Sequence, residues 1–351
     1  MKETLIVVAT FVSISLSAQT ISEVEALRNA QDFLQSSHSH GATLKSMTSS
    51  HLSLVKKGSS QESEDPAYYV FSDEQGNGGF VIVSGDSRTS HRILGYSETG
   101  TFNSENMPEN IQTWLAEYAD QIDAIRAENE VINEGTGRVY AVGNIVVEPL
   151  ITTHWNQDEP YNNKCPKMNG ERTAVGCMAV SVGQIMNYYK WPKQGQGYNE
   201  YEWNNSWIEK DFSECKYDYN NLDTAQFLYD IAIAVKTKFG EESSALSINA
   251  GKGLMNFFGY DKGMQIHYRH KTSVSSSSTQ GWSIDLPGWS EEDWDNMIRT
   301  ELDAKRPVLL AAQKGKKEDG HAFICDGYDD AGYFHFNWGW GGYCDGWYVS
   351  S

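Results

Sequence analysis

Three β-rich runs in the carboxy-terminal part of the chain constrain its fold more than any other feature. They are RPVLLAA, HAFICDGY and YFHFNWG, and they lie between Arg306 and Gly339. Short runs of this composition, separated by polar or glycine-containing breaks, are typical of neighbouring antiparallel strands. The preceding segment SEEDWDNMIRTEL predicts a helix with Ser290 as its N-cap and acidic residues in its first turn. This part of the chain therefore predicts an antiparallel sheet that follows a helix.

The amino-terminal half predicts a smaller α+β unit. Apolar residues between Val24 and Leu34 recur at helical spacing, and the β-rich runs HLSLVKK, AYYVFSD and GFVIVSGD follow. The last two runs are separated by EQGNGG, a glycine-rich hairpin signal. RILGYSETG predicts another strand, and PENIQTWLAEYADQIDAI predicts a helix with Pro108 near its start. This half has no cysteine and no cluster of catalytic residue types, which favours a structural or inhibitory role.

Two segments predict irregular structure. Between Ala127 and Gly143 the apolar periodicity is lost, and the composition predicts an exposed linker, which is a natural site of proteolytic cleavage. The low-complexity run from Ser273 to Gly281 predicts a mobile surface loop.

Charge and the amino terminus limit the class of protein. The 351 residues carry a formal net charge of −19, which argues against binding to nucleic acid or to an anionic membrane. The start MKETLIVVATFVSISLSAQ resembles a secretory signal, with Lys2, an apolar run from Leu5 to Leu16 and small residues around Ala18. That run is shorter than the roughly 20 residues that span a bilayer. We expect a protein that is secreted, periplasmic or attached to the cell surface, with no membrane contact after signal removal.

The chain has an odd number of cysteines, namely Cys165, Cys177, Cys215, Cys325 and Cys344. In an exported protein this count indicates a free thiol. Spacing does not decide whether the other four cysteines pair. They lack the spacing of metal ligands, so we interpret them as buried or structural thiols.

The segment ERTAVGCMAVSVGQIMNYYKWP places Cys177 in the first turn of an apolar helix. The positive end of the helix dipole favours a thiolate there, and Gly176 would let a substrate backbone approach closely. A single cysteine on an apolar helix is more often a core residue, so a catalytic interpretation needs partners elsewhere in the sequence.

Those partners are found in the carboxy-terminal β-rich runs. His321 opens the second run and Asn337 closes the third, so neighbouring strands could bring the two side chains together. A thiolate, an imidazole base and an amide that orients the ring form the arrangement of cysteine proteases. Trp338 could cover the bond between histidine and asparagine. His335, amid aromatic residues in mid-strand, is interpreted as a packed residue, and His154 is a weaker rival base.

Together these motifs resemble the papain-type pattern, and more closely the streptopain family of secreted bacterial cysteine proteases. The resemblance rests on GHAFICDGY and NWGWGG, on the Gly-Cys helix start and on THWNQDEPYN. It extends to GGFVIVSGD, ILGYSETGTF and PENIQTWLAEY, which resemble the family's inhibitory pro-domain. It implies an α+β fold in which a small pro-domain precedes a papain-like catalytic domain. The helical part would carry Cys177 and the antiparallel sheet would carry His321.

The resemblance also implies a function and a mechanism. The protein would be a secreted endopeptidase that is made as a zymogen, and the enzyme would hydrolyse peptide bonds through an acyl-enzyme. The expected site comprises the catalytic Cys177, His321, Asn337 and Gln157 and the substrate-binding Gly176, Trp338 and Trp340. The glutamine would donate to the oxyanion, the asparagine would orient the histidine, and the two tryptophans would wall the site. The mechanism requires no metal and no organic cofactor. Expected partners are protein or peptide substrates and the pro-domain itself as an intramolecular inhibitor.

We expect a signal peptide at 1–18, the inhibitory pro-domain at 19–138 and the protease domain at 139–351. Val175 stands where the family often has threonine. The sequence ends at GWYVSS, where family members usually continue with a glycine-rich loop and a returning strand, so we expect either a fragment or a homologue with a shortened carboxy-terminal end. Two other classes remain as alternatives. They are a thiol acyltransferase of transglutaminase type and an inactive homologue that acts as a binding or inhibitor protein.

Overall fold

The structure is a computed structural model of the chain. It describes residues 20–39, 51–60, 63, 65–73, 79–99, 102–105, 107–127, 143–270, 272–275, 283–313 and 320–350. The expected signal peptide and the interior of the expected linker lie outside these residues. No helix within the described ranges is long and apolar enough to cross a membrane.

The amino-terminal region confirms the predicted α+β unit. Its described elements are α1 (Glu23–Ser39), β1 (Leu52–Gly58), β2 (Tyr68–Asp73), β3 (Phe80–Ser84), β4 (Ile93–Ser97) and α2 (Glu109–Ala127). One face of α1 buries Ala26, Ala30, Phe33 and Leu34, at the spacing expected of an amphipathic helix. Every residue of β2, β3 and β4 is buried. This part of the sheet is therefore covered on both faces.

A helical region follows, and it has a core of its own. Its elements are β5 (Ile145–Val147), β6 (Lys167–Met168), β7 (Glu171–Arg172), α3 (Cys177–Tyr189), β8 (Tyr198–Trp203), β9 (Ser206–Asp211), α4 (Thr224–Ala234) and α5 (Ser247–Phe257). The three helices pack around buried residues that include Val182, Leu228 and Leu254. The side chain of Asp223 accepts the N–H of Gln226 and so caps the start of α4.

The carboxy-terminal region contains the predicted helix and strands. Its elements are β10 (Thr272–Ser275), β11 (Ser283–Leu286), α6 (Glu291–Asp303), β12 (Val308–Gln313), β13 (Gly320–Asp329), β14 (Tyr333–Asn337) and β15 (Gly346–Val349). The hydroxyl of Ser290 accepts the N–H of Asp293 at 3.1 Å, which confirms the predicted N-cap. The low-complexity run differs from its prediction as a loop, because residues 273–275 belong to β10 and pair with β11. Residues 276–282 lie outside the described part of the chain.

A single antiparallel sheet joins the amino- and carboxy-terminal regions. Among the described residues its strand order is β1-β2-β3-β4-β15-β14-β13-β12, with β5 also paired to β13. The junction lies between β4 and β15, where Trp347 pairs with Tyr96 and Tyr348 pairs with Gly95. A Cβ atom at Gly95 would lie 2.7 Å from the Tyr348 ring, so this close approach requires glycine. The apolar core is likewise continuous across the junction.

Candidate active site

Cys177 is the first residue of α3, as the sequence predicted. Gly176 is the N-cap and has φ 94°, a conformation that favours glycine. The helix is buried from Cys177 to Met186, and Cys177 itself is 7% exposed. The sulfur therefore lies at the end of the helix where the dipole favours negative charge.

The start of β13 lies directly against the start of α3. The backbone N–H of Ala322 donates to Sγ of Cys177 at 3.4 Å. The hydroxyl of Ser181, one helical turn further on, donates to the carbonyl of Ala322 at 3.2 Å. Both polar backbone groups of Ala322 are thus held by α3. His321 is the residue next to Ala322 in the chain, so the strand that carries the histidine begins beside the cysteine.

The His321 ring is held between an aromatic ring and a backbone group. It stacks on Trp340 with ring centroids 5.7 Å apart and planes 19° apart. Burial lowers the pKa of the imidazole to about 4, and a hydrogen bond to the backbone of Trp338 opposes this shift only in part. The Nε2 atom is buried and has no hydrogen-bond partner among the described residues. Burial therefore favours the neutral ring in this structure.

Asn337 has other partners than the histidine it was expected to orient. Its Oδ1 accepts from Nε2 of Gln184 at 2.9 Å and from the N–H of Gly339 at 3.1 Å. Its Nδ2 donates to the carbonyl of Thr153 at 3.0 Å. Among the described contacts, none joins Asn337 to His321. The backbone of the next residue, Trp338, contacts the ring instead.

Strand register explains this difference. Asn337 lies directly opposite Ile324, and directly opposed residues of antiparallel strands point to the same face. The register of β13 against β12 is regular from Gly320 to Cys325, so His321 and Ile324, three residues apart, point to opposite faces. The asparagine and histidine side chains therefore lie on different faces of the sheet.

Gln157 lies beside the segment that leads into α3. Its carbonyl accepts the N–H of Val175, two residues before Cys177, at 3.0 Å. The residue is 5% exposed. Its side-chain Nε2 is buried, and the described residues offer it no hydrogen-bond acceptor. An unmet buried donor costs about 1–3 kcal/mol, and this one would be satisfied by an oxygen atom of a bound ligand.

Trp338 and Trp340 differ in burial and in the residues that they contact. Trp340 is half-buried and its ring stacks on the His321 ring. Trp338 is fully buried, and its ring packs 4.5 Å from Phe323 and 5.9 Å from Trp114 of α2. Its side chain belongs to the core that both regions share, and only its backbone reaches the histidine. It therefore does not cover a bond between histidine and asparagine.

The two rival histidines are each paired with an aspartate. His335 Nδ1 lies 2.6 Å from Asp326. Burial lowers the pKa of His335, but the charge and hydrogen bond of Asp326 outweigh burial and raise it overall. His154 Nδ1 lies 3.1 Å from Asp345, whose hydrogen bond raises the pKa of this more exposed ring. No described hydrogen bond joins either histidine to Cys177.

All five cysteines are buried and reduced. Burial raises the pKa of the thiols of Cys165 and Cys344, to about 12 in the case of Cys165. Within the ranges that the structure describes, no three His, Cys, Asp or Glu side chains form a group that could hold a metal ion.

One residue of the site was not singled out by the sequence analysis. Gln184 lies on α3 with no exposed surface and hydrogen-bonds Asn337. Its only signal in the sequence is a polar residue on the buried side of an otherwise apolar helix.

Comparison with known proteins identifies the family of this chain. Residues 155–348, more than half of the chain, match the peptidase C10 family, and residues 18–122 match the Spi protease inhibitor family. Streptopain of Streptococcus pyogenes is 30% identical over 364 residues, which cover 93% of this chain and 84% of streptopain. The thiol protease/hemagglutinin PrtT of Porphyromonas gingivalis is 29% identical over 365 residues, but the chain spans only 39% of its length.

A solved structure shows the same relationship. A fragment of prointerpain A from Prevotella intermedia superposes with a TM-score of 0.63 at 25% identity, covering 85% of this chain and 90% of the fragment. That match includes both regions of the present chain. The chain therefore belongs to the peptidase C10 family of cysteine peptidases and carries an inhibitor-type domain ahead of its peptidase domain.

Proposed function

We propose that this chain is the zymogen of a cysteine endopeptidase whose nucleophile is Cys177. The observation that carries the proposal is the contact between Sγ of Cys177 and the N–H of Ala322 at 3.4 Å. It joins the positive end of a helix to the residue next to His321. A sulfur at such a helix start, with an imidazole on the adjacent strand, is the arrangement of a thiolate nucleophile and its acid–base partner.

The reaction begins when the Cys177 thiolate attacks the carbonyl carbon of a peptide bond. The carbonyl electron pair moves to oxygen, and the charged His321 ring gives its proton to the leaving nitrogen as the C–N bond breaks. The resulting thioester is hydrolysed by water, from which His321 accepts a proton. Release of the carboxylic acid restores the thiolate and the charged imidazole.

Gln157 supplies one hydrogen bond to the oxyanion in this proposal. Its Nε2 is buried without an acceptor among the described residues, and its backbone is anchored to Val175 beside the nucleophile. The N–H of Cys177 is the second donor. Donors that are already fixed in place stabilise the developing charge without reorganisation, and this is commonly a large contribution to catalysis.

The amino-terminal region acts as the intramolecular inhibitor. It contacts the loop between β14 and β15, whose Trp340 stacks on the His321 ring. Trp114 packs on Trp338 of this loop, and the N–H of Asn103 donates to the hydroxyl of Tyr343 at 2.6 Å. Catalysis requires a charged imidazole, while burial in this structure lowers the pKa of His321 to about 4. Removal of the pro-domain would expose this loop to water and favour the charged form.

The proposed arrangement of the full chain is a signal peptide at 1–18, an inhibitory pro-domain at 19–138 and a peptidase domain at 139–351. Export is supported by the amino-terminal sequence, and the substrates are proteins or peptides. Cleavage in the segment between the two domains would separate inhibitor from enzyme.

A thiol-directed epoxide and two activity assays test the proposal. The full chain, intact and after cleavage of the linker, is treated with the epoxide in the presence of a thiol reductant. We expect Cys177 to be labelled and peptide hydrolysis to be lost in proportion. Absence of labelling would instead identify a binding or inhibitor protein. Incorporation of a primary amine into peptides without hydrolysis would identify an acyltransferase.

A further inference from the structure

The nucleophile helix α3 carries a buried glutamine two turns beyond Cys177. Gln184 has no exposed surface, and apart from Ser181 the helix around it is apolar or small. A buried side-chain amide must find partners for its polar atoms, since an unmet one costs about 1–3 kcal/mol. The identity of these partners indicates what the residue holds in place.

The partners of Gln184 come from two other segments of the site. Its Oε1 accepts the hydroxyl hydrogen of Thr153 at 2.9 Å and the backbone N–H of Trp155 at 3.2 Å. Its Nε2 donates to Oδ1 of Asn337 at 2.9 Å. Asn337 completes a ring of hydrogen bonds by donating from Nδ2 to the carbonyl of Thr153 at 3.0 Å.

Backbone groups fix the orientation of both amides in this ring. The N–H of Trp155 can only donate, so the atom of Gln184 that faces it must be oxygen. The N–H of Gly339 likewise donates to Oδ1 of Asn337 at 3.1 Å. A donor nitrogen of Gln184 therefore faces an acceptor oxygen of Asn337, and reversing either amide would oppose two donors or two acceptors.

Each partner adjoins a group that the reaction uses. Trp155 precedes the oxyanion donor Gln157 by two residues, and Asn337 immediately precedes Trp338, whose backbone hydrogen-bonds His321. We infer that Gln184 is a positioning residue that holds the oxyanion segment and the histidine's backbone partner in register with the nucleophile helix. The inference rests on the proposed function. It also gives Asn337 a role, since Asn337 acts through Gln184 and the backbone rather than on the ring.

The Gln184→Glu substitution tests the hydrogen bond to Asn337 specifically. An ionised glutamate keeps an acceptor for Trp155 and Thr153, but it places a second oxygen against Oδ1 of Asn337. When protonated, the same side chain donates its O–H to Oδ1 as the amide did. Turnover of this variant, relative to wild type, should therefore recover as the pH falls. Gln184→Leu removes every bond and should be impaired at all pH values.

The experiment measures kcat and KM per active site. Full-length variants are processed by tagged wild-type enzyme, which is then removed, and their reactive thiols are counted with a thiol-directed epoxide. We expect Gln184→Leu to lower kcat by on the order of ten- to a hundred-fold, the effect of misplacing reacting groups, with KM changed by less than about twofold. The ratio of Gln184→Glu to wild-type kcat should rise by about tenfold as pH falls through the pKa of the introduced carboxyl, which burial raises, so the measurement extends from alkaline to acidic pH.

A matched control separates positioning from stability. Asn199 on β8 is also a buried amide, and its Nδ2 donates to the carbonyl of Ile233 at 2.7 Å, away from the site. Asn199→Ser should lower the melting temperature and leave kcat per titrated site unchanged. Wild-type kcat per site in Gln184→Leu, or a ratio for Gln184→Glu that does not vary with pH, would overturn the inference. Should Gln184→Leu fail to fold, the near-isosteric Gln184→Glu decides alone.

A second readout distinguishes failure of the inference from failure of the proposed function. If the wild-type enzyme cleaves no peptide, the proposed function is wrong. The rate at which iodoacetamide alkylates Cys177 in the full chain is then followed against pH. A profile that differs between wild type and Gln184→Glu supports the positioning role, and identical profiles reject it.

Discussion

Two buried polar clusters, one in each region of the molecule, satisfy their hydrogen bonds to different degrees. In the amino-terminal region both carboxylate oxygens of Asp86 are paired with Arg88, and Arg126 adds a third charged contact at 3.4 Å. In the peptidase region Nε2 of Gln157 and Nε2 of His321 are buried with no described partner. The first cluster is complete without a ligand, and the second is not.

The comparison is between a group that stabilises the fold and two groups that we propose act on a substrate. Buried polar atoms are nearly always hydrogen-bonded in folded proteins, so an exception needs a reason. The Asp86 cluster joins the end of β3 to α2 and has no atom left for a ligand. We propose that a peptide bound at Cys177 provides the missing partners of the other two atoms through its carbonyl and its leaving nitrogen.

Removal of the nucleophile should give the largest effect. We expect Cys177→Ala to accumulate as an uncut precursor with no detectable peptidase activity, because no thiolate remains to attack. The variant should stay folded and should be cut by added wild-type enzyme. The precursor band is followed over time beside wild type.

His321→Ala should behave like Cys177→Ala, since the leaving nitrogen would lack a proton donor. His335→Ala serves as the contrasting variant. It removes the partner of buried Asp326, so it should lose stability first and still mature slowly. Maturation of purified Cys177→Ala at the normal rate would exclude Cys177 as the nucleophile.

A substitution in the Asp86 cluster should lower the stability of the fold rather than the activity. Asp86→Asn removes the buried counter-charge of Arg88, while Arg126 keeps its ion pair with Asp123. We expect the free energy of unfolding to fall by about 3–5 kcal/mol, the usual cost of breaking a buried ion pair. Denaturant titration of the full-length Cys177→Ala background measures this change. An unchanged midpoint would show that the two clusters do not differ as described.

Low pH should remove the stabilisation that the ionised Asp86 carboxylate provides. Burial raises the pKa of the Asp86 carboxyl, but the hydrogen bonds and charge of Arg88, with Arg126, outweigh it and hold the pKa below its usual value. Such a group contributes stability that is fully present above its unfolded-state pKa, about 3.9, and is lost as pH falls through the lower folded value. The stability difference between Asp86→Asn and its parent should therefore shrink below about pH 4.

Gln157→Ala should affect turnover but not the reactivity of the thiol. Loss of one oxyanion donor costs on the order of a hundred- to a thousand-fold in kcat. Alkylation of Cys177 should proceed at the wild-type rate, because the cysteine and histidine are untouched. Wild-type peptide cleavage by this variant would show that the unpaired Nε2 has no part in the reaction.

The smallest effect is expected at the junction of the two regions. The hydroxyl of Tyr118 shares its single hydrogen between the carbonyl of Leu94 at 2.9 Å and that of Val349 at 2.8 Å. Tyr118→Phe should lower the free energy of unfolding by about 1 kcal/mol, the contribution of a typical hydrogen bond. Activity of the mature enzyme should not change. Thermal unfolding of precursor and mature forms provides the comparison.

Local patterns in the sequence predicted the elements of the fold well. The structure has the predicted helix start at Cys177 and the predicted N-cap at Ser290. It also has the three predicted carboxy-terminal strands, of which the second contains His321 and the third contains Asn337. Each depends on periodicity or capping within a few residues, which a single sequence contains.

Properties that depend on pairing between distant segments were not predictable in this way. The role given to Asn337 stays a prediction, and the partners of its side chain in this structure could not be foreseen because they depend on strand register. The continuity of β4 with β15 joins residues about 250 positions apart, and no local pattern specifies it. Trp338 and Trp340 have similar local sequence contexts, and only the packed core separates their roles.

The junction between β4 and β15 also bears on what a cut in the linker can accomplish. The paired backbones at Tyr96 and Trp347, the bond from Tyr118 to Val349 and the contact of Trp114 with Trp338 do not depend on covalent continuity of the linker. A cut chain would therefore behave as a heterodimer of two fragments. By mass action its free fraction rises on dilution, so the activity that appears after cleavage should depend on protein concentration and on the dissociation rate of the fragments.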